Sequence, residues 1–166
     1  MTVRAAAQPG KESAARSPVL LVVAGGTVSQ AAVTRTAELA AGTPVTVIGV
    51  GSGQRTSRMD GGQPAYPAGR PGFPQADPEN LRRAVALAMS ALEDTGVNAL
   101  GHIAVTGSPA RAVVRVARAR GARVVVLDHQ DQASAGLAAE LRRRMYGSGI
   151  VVVSAAERGN LWVVPS

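Results

Sequence analysis

"GSPARAVVRVARARGARVVVLD", Gly107 to Asp128, decides the fold. Ser108-Pro109 is a helix start: a residue able to cap, then proline at the first helical position, where its missing N–H costs nothing. Ala110, Val113, Val116 and Ala117 recur at helical spacing and predict one apolar face. Arg111, Arg115 and Arg118, at i, i+4 and i+7, take the opposite side. Gly121 then stops the helix. "ARVVVLD", from Ala122 to Asp128, is too short for a helix, and its unbroken valine run predicts a strand buried on both faces. A helix leading directly into such a strand is half of a crossover unit, which places the strand in a parallel sheet.

The same alternation extends in both directions. "PVLLVVAGG" (18–26) reads as a buried strand closed by two glycines, and "TVSQAAVTRTAELAAG" (27–42) as a helix with Ser29 or Thr27 as cap and Gly42 as stop. "PVTVIGV" (44–50) is a second strand. Asp77-Pro78-Glu79 opens another helix with a capping oxygen, a first-position proline and a first-turn carboxylate. Its Leu81, Ala84, Val85, Ala88 and Leu92 form the sheet-facing stripe, and Gly96 ends it. "ALGHIAVTG" (99–107) is the third strand. Beyond Asp128, Leu137, Leu141 and Met145 mark a fourth helix ending near Gly147; "GIVVVS" (149–154) is a fifth strand and "NLWVVPS" (160–166) offers a short sixth.

Strands alternating with helices predict an α/β domain: a doubly wound, five-stranded parallel sheet with helices on both faces. The domain is expected over 18–166, behind a tail at 1–17 without sustained periodicity. Residues 51–77 are dense in glycine and proline and read as a long loop, with Tyr66 and Phe73 placed to pin it to the body.

Composition narrows the function classes. One Trp, two Tyr and one Phe leave the core to Val, Ala, Leu and Ile. With no cysteine, disulfides, zinc–thiolate sites and thiol catalysis are excluded. The first residues lack the apolar stretch of a secretory signal, and no apolar run is long enough to span a bilayer, so a soluble, cytoplasmic protein is expected. The net charge is +7, from 18 Lys and Arg against 11 Asp and Glu.

Taken in order, these segments resemble the universal stress protein family. "VLLVVAGGTVSQAAVTRTAELAAGTPVTVIGV" is similar to that family's opening β-α-β unit, "GSPARAVVRVARARGARVVVL" to its glycine-x-proline turn, third helix and fourth strand, and "AAELRRRMYGSGIVVVS" to its last helix and strand. The resemblance spans Pro18 to Ser154 and implies strand order 3-2-1-4-5, a homodimer formed through strand five and, in one branch, ATP binding. That branch carries glycine-x-x-glycine, nine residues, then glycine and Ser or Thr, directly after strand four. Glycines there let backbone N–H groups approach the phosphates. This chain instead has Asp128 and Asp131, which add side-chain bulk and negative charge. Leu137 and Ala138 fall where the closing pair belongs, and Gly136 is out of register. The family's aspartate at the tip of strand one is Ala24 here, followed by Gly25; Val50 matches the position whose backbone meets adenine, and Gly107 opens the turn after strand three.

Ala24, Gly25, Val50, Gly107, Asp128 and Asp131 therefore form the candidate cleft, a degenerate nucleotide site at the carboxyl ends of the strands, where doubly wound sheets bind ligands. Asp128, His129 and Asp131 also invite a metal reading, but the remaining histidine, His102, lies at the far edge of the implied sheet. A polar turn with an Asx-type hydrogen bond is the preferred reading of that cluster. Ser52, Ser108, Ser134 and Ser148 sit in no nucleophile elbow, and "GSGQRTS" (51–57) lacks the lysine and following helix of a phosphate loop. Arginine rows at 111, 115, 118, 120 and 123 and at 142–144 read first as solvated helix faces with scattered ion pairs. They also offer a surface for an acidic protein partner; with few aromatic residues to stack on bases, nucleic acid is the weaker expectation. The sequence thus predicts a non-enzymatic regulatory or protective interaction module without cofactor. The runner-up is a protein binding ATP or AMP through a non-standard phosphate site.

Overall fold

The computed structural model describes residues 18–53, 77–128 and 135–155. Its element order is β1 (Val19–Ala24), α1 (Gln30–Ala40), β2 (Val45–Ser52), α2 (Pro78–Asp94), β3 (Ala99–Thr106), α3 (Pro109–Ala119), β4 (Val124–Asp128), α4 (Ala135–Met145) and β5 (Val151–Ala155). The strands form one sheet in the order β3-β2-β1-β4-β5, every neighbouring pair parallel. This is the expected doubly wound sheet. The valine runs are explained by it, since β1 and β4 each have a strand on both sides and helices over both faces.

Strand alternation divides the core into two layers. Leu20, Val22, Ile48, Val125 and Leu127 pack on one face against Ala110, Val113 and Ala117 of α3 and Leu137, Leu141 and Met145 of α4. Val19, Leu21, Val47 and Val126 pack on the other against Ala32 and Val33 of α1 and Ala84, Val85, Ala88 and Leu92 of α2. The stripe expected on α2 is buried along its whole length, Leu81 included. Two glycines bring α2 unusually near the sheet: a Cβ on Gly49 would stand 2.7 Å from Val85 Cγ2, and one on Gly101 would stand 2.6 Å from Met89 Sδ.

Several boundaries differ from the sequence reading. The long loop does not begin at 51, because Gly51 and Ser52 continue β2 and pair with Val105 and Thr106. Ser29, not Thr27, caps α1, and the left-handed turn that ends it already starts at Ala41 (φ 46°), before Gly42. Ser108 occupies the cap position of α3 without a side-chain cap bond; its ψ is 71°, against the extended 148° at Ser29. Its N–H donates instead to Thr106 Oγ1. The tail at 1–17, residues 54–76 of the loop with Tyr66 and Phe73, and the sixth strand at 160–166 lie outside the described residues. Among the described residues no helix is long and apolar enough to cross a membrane.

Candidate functional site

The order of connection reverses beside β1: the chain passes from β1 outward to β2 and β3, then crosses back to β4 on the other side. The crevice beyond the carboxyl ends of β1 and β4 is therefore the place such a sheet offers a ligand. Gly25 and Gly26 turn the chain away from β1, with φ of 81° and 82°, and deliver it to Ser29 at the start of α1. Positive φ is a conformation glycine adopts at no steric cost.

Asp128 closes this crevice from below. It is the last residue of β4 and shares the face of Val126, which packs in the α1 layer, so its side chain points beneath the start of α1. The Ser29 N–H donates to Asp128 Oδ2 at 2.6 Å, and the Ser29 hydroxyl donates to Oδ1 at 2.8 Å. Ser29 Oγ in turn accepts from the Ala32 N–H at 3.1 Å, completing the cap. Asp128 is only 4% exposed. The first turn of α1 contains no acidic residue, so the negative charge that the helix N-terminus favours comes from a residue 99 positions away.

A free helix N-terminus at a switch point is a ready anion site, with N–H groups and a positive dipole end. Here the site has a resident anion. A phosphate approaching the start of α1 meets a fixed negative charge in place of a positive end. It also finds the Ser29 N–H and hydroxyl already donating to a carboxylate.

The other candidates are distributed around this point. Ala24 and Val50 are register partners on β1 and β2, and both side chains are buried in the layer under α3 and α4. Of these three positions, the backbone of Ala24 and Val50 and the exposed Gly25 are left to line the crevice. Gly107 is exposed, with open space where a side chain would stand, but it follows the edge strand β3, two strands from β1. Asp131 and His129 lie outside the described residues. Ser29, identified in the sequence only as a cap, is the residue whose place in the site went unread.

The structure ties Asp128 to the start of α1 by a long-range pair of bonds to Ser29. The Asx-type turn expected of the cluster falls on 129–134, outside the described residues. His102 stands on β3 and its Nε2 lies 2.9 Å from Arg120 Nη2, three strands from β4. Among the described residues no three His, Asp or Glu side chains come together as metal ligands.

Comparison with known proteins agrees with this architecture. The sequence profile described as the Universal stress protein family matches residues 16–158. The structure is similar to a universal stress protein from Archaeoglobus fulgidus at 18% identity and a TM-score of 0.59, covering 84% of this chain and 93% of that one. It is also similar to a universal stress protein from that organism in complex with dAMP, at 18% identity and a TM-score of 0.56, covering 86% and 99%. A protein of the same family from Burkholderia pseudomallei aligns at 22% identity and a TM-score of 0.58, covering 89% and 100%. No curated protein matches the chain.

Proposed function

Because the chain belongs to the universal stress protein family, we propose that it is a cytoplasmic, non-enzymatic regulatory or protective interaction module that has given up the family's ATP-phosphate site. The observation that carries this reading is the buried Asp128 carboxylate bound to the cap of α1. It supports the reading because the charge occupies the α1 N-terminus at the switch point, and because Ala24 and Val50 bring no polar side chain to the crevice. Titration calorimetry with ATP and with AMP, each with and without magnesium, tests it. No binding is expected up to millimolar nucleotide; a micromolar Kd in any of the four titrations overturns the proposal.

The dAMP complex of the Archaeoglobus fulgidus relative favours one alternative, a nucleotide held by its base and sugar with the phosphate placed elsewhere. In that case AMP alone, without magnesium, binds with micromolar affinity, and the same titrations separate it from the first reading.

The proposed assembly is a homodimer through β5. In support, among the described residues β5 is an edge strand with a neighbour on one side only, and Val151 at its start is partly exposed. An unpaired strand edge offers a row of N–H and C=O groups to a second copy. Sedimentation equilibrium at micromolar concentration is expected to give twice the chain mass, and a monomer at that concentration removes the dimer.

A further inference from the structure

Charge is segregated across the sheet. The α1/α2 layer carries three arginines and five acidic residues, including the cap Asp77, among the described residues. The α3/α4 layer, with the turn that follows α3, carries eight arginines and one glutamate. That glutamate, Glu140, bonds Arg144 at 2.7 Å. Arg120 meets the His102 ring, and Arg142 donates to Ser154 Oγ while its buried Nε has no partner. The exposed Arg111, Arg115, Arg118 and Arg143 face no carboxylate among the described residues.

An arginine-rich composition alone does not produce this, because it would place arginine on both layers. Helix electrostatics explain part of it: Arg118 and Arg142 to Arg144 stand in last turns, where cations are favoured. They do not explain Arg111, which sits in the first turn of α3 where the dipole repels a cation. Arg111, Arg115 and Arg118 form a row about 10 Å long on the solvent side of α3, at 1.5 Å rise per residue.

Apolar groups adjoin this surface along the edge where the strands begin, beside β5 and on β3. Tyr146, directly after α4, is 81% exposed, one helical turn beyond Arg142 and Arg143. Leu100 is 51% exposed on β3, and shares a strand face with His102, the contact of Arg120. Exposed tyrosine and aliphatic side chains beside arginines that face no carboxylate among the described residues match a protein interface, where Tyr and Arg supply much of the binding energy. A phosphate backbone has no use for the apolar members, and among the described residues the layer offers no row of aromatic residues on which bases stack.

We infer that the α3/α4 layer is a docking surface for an acidic protein partner, one presenting carboxylates along an amphipathic segment with apolar residues beside them. The arginine row pairs with the carboxylates, and Tyr146 takes the apolar side. The surface lies on the layer opposite α1 and does not use the crevice at Ser29 and Asp128.

Fluorescence anisotropy of the full chain with a labelled amphipathic peptide, carrying one glutamate stripe and one leucine stripe, tests this at low salt. A DNA duplex serves as competitor. Changing Arg111, Arg115 and Arg118 together to Gln is expected to weaken the peptide at least about tenfold, the scale of loss when close charge pairs are removed. The control Arg82→Gln with Arg83→Gln on α2 is expected to change it less than about twofold, as for exposed charges outside an interface. Tyr146→Ser weakens the peptide and leaves any duplex binding unchanged. All altered arginines lie on the surface, and an unchanged melting curve verifies folding of each variant. The inference is overturned by absence of peptide binding, by equal loss in the α2 control, or by a duplex that displaces the peptide at equal concentration of negative charge.

Discussion

Asp128→Ala is expected to destabilise the fold by about 3 kcal/mol, the scale of losing hydrogen bonds to a charged acceptor together with the charge at a helix N-terminus. The carboxylate is buried and accepts from both the N–H and the hydroxyl of Ser29, so its removal leaves the amide of the cap without its partner. The loss joins two elements, since these bonds tie the end of β4 to the start of α1. In a chain of this size the change lowers Tm by roughly 6–12 °C. Thermal denaturation followed by circular dichroism measures it, and a Tm within a degree or two of the parent contradicts the assignment. Ser29→Ala, which keeps the amide-to-carboxylate bond, is expected to cost less, about 1–2 kcal/mol. The two changes together then cost less than their sum, because each removes the same hydroxyl-to-carboxylate bond.

Gly49→Val is expected to cost a similar amount, about 3 kcal/mol, for a different reason. Even a Cβ at this position would lie 2.7 Å from Val85 Cγ2, and the two methyl groups of valine add to the conflict. β2 cannot yield, because it is bonded to β1 on one side and β3 on the other. α2 must lift instead, loosening Leu81, Ala84 and Val85 together. Urea denaturation is the appropriate measurement, with a clear drop in midpoint expected. Combining the change with Val85→Ala is expected to return part of the loss, since the clash is with that side chain; no recovery would place the strain elsewhere.

The fold was legible because apolar periodicity and end signals agree element by element. The valine run ending at Asp128 has the length and composition of a strand buried on both faces, and it is one. Asp77 and Pro78 mark the start of α2 through local chemistry, and the cap bond from the Glu79 N–H to Asp77 is present. Ser108-Pro109 looks the same in sequence, yet Ser108 makes no side-chain cap bond, because the cap depends on a backbone angle that residue identity does not set.

The place of the candidate site follows from strand order, and its content does not. Strand order at the switch point directs attention to the tips of β1 and β4, and the missing glycine pair follows from the sequence there. What Asp128 does instead depends on Ser29, at a separation of 99 residues that no local pattern encodes. Strand parity was the available signal: Asp128 shares the face of Val126, so its side chain had to meet the α1 layer. Charge segregation was hidden in the same way. The arginine rows are visible along the chain, but only the layering shows that α3 and α4 bring them onto one side of the sheet.

The central claim is that the start of α1 already holds its anion. The Ser29 amide resonance, followed by proton–nitrogen correlation NMR during a titration with magnesium ATP, tests this at the atom concerned. An occupied N–H predicts a Ser29 peak that stays in place up to millimolar nucleotide. A saturable shift of that peak with a micromolar midpoint would show phosphate reaching the helix start and contradict the account.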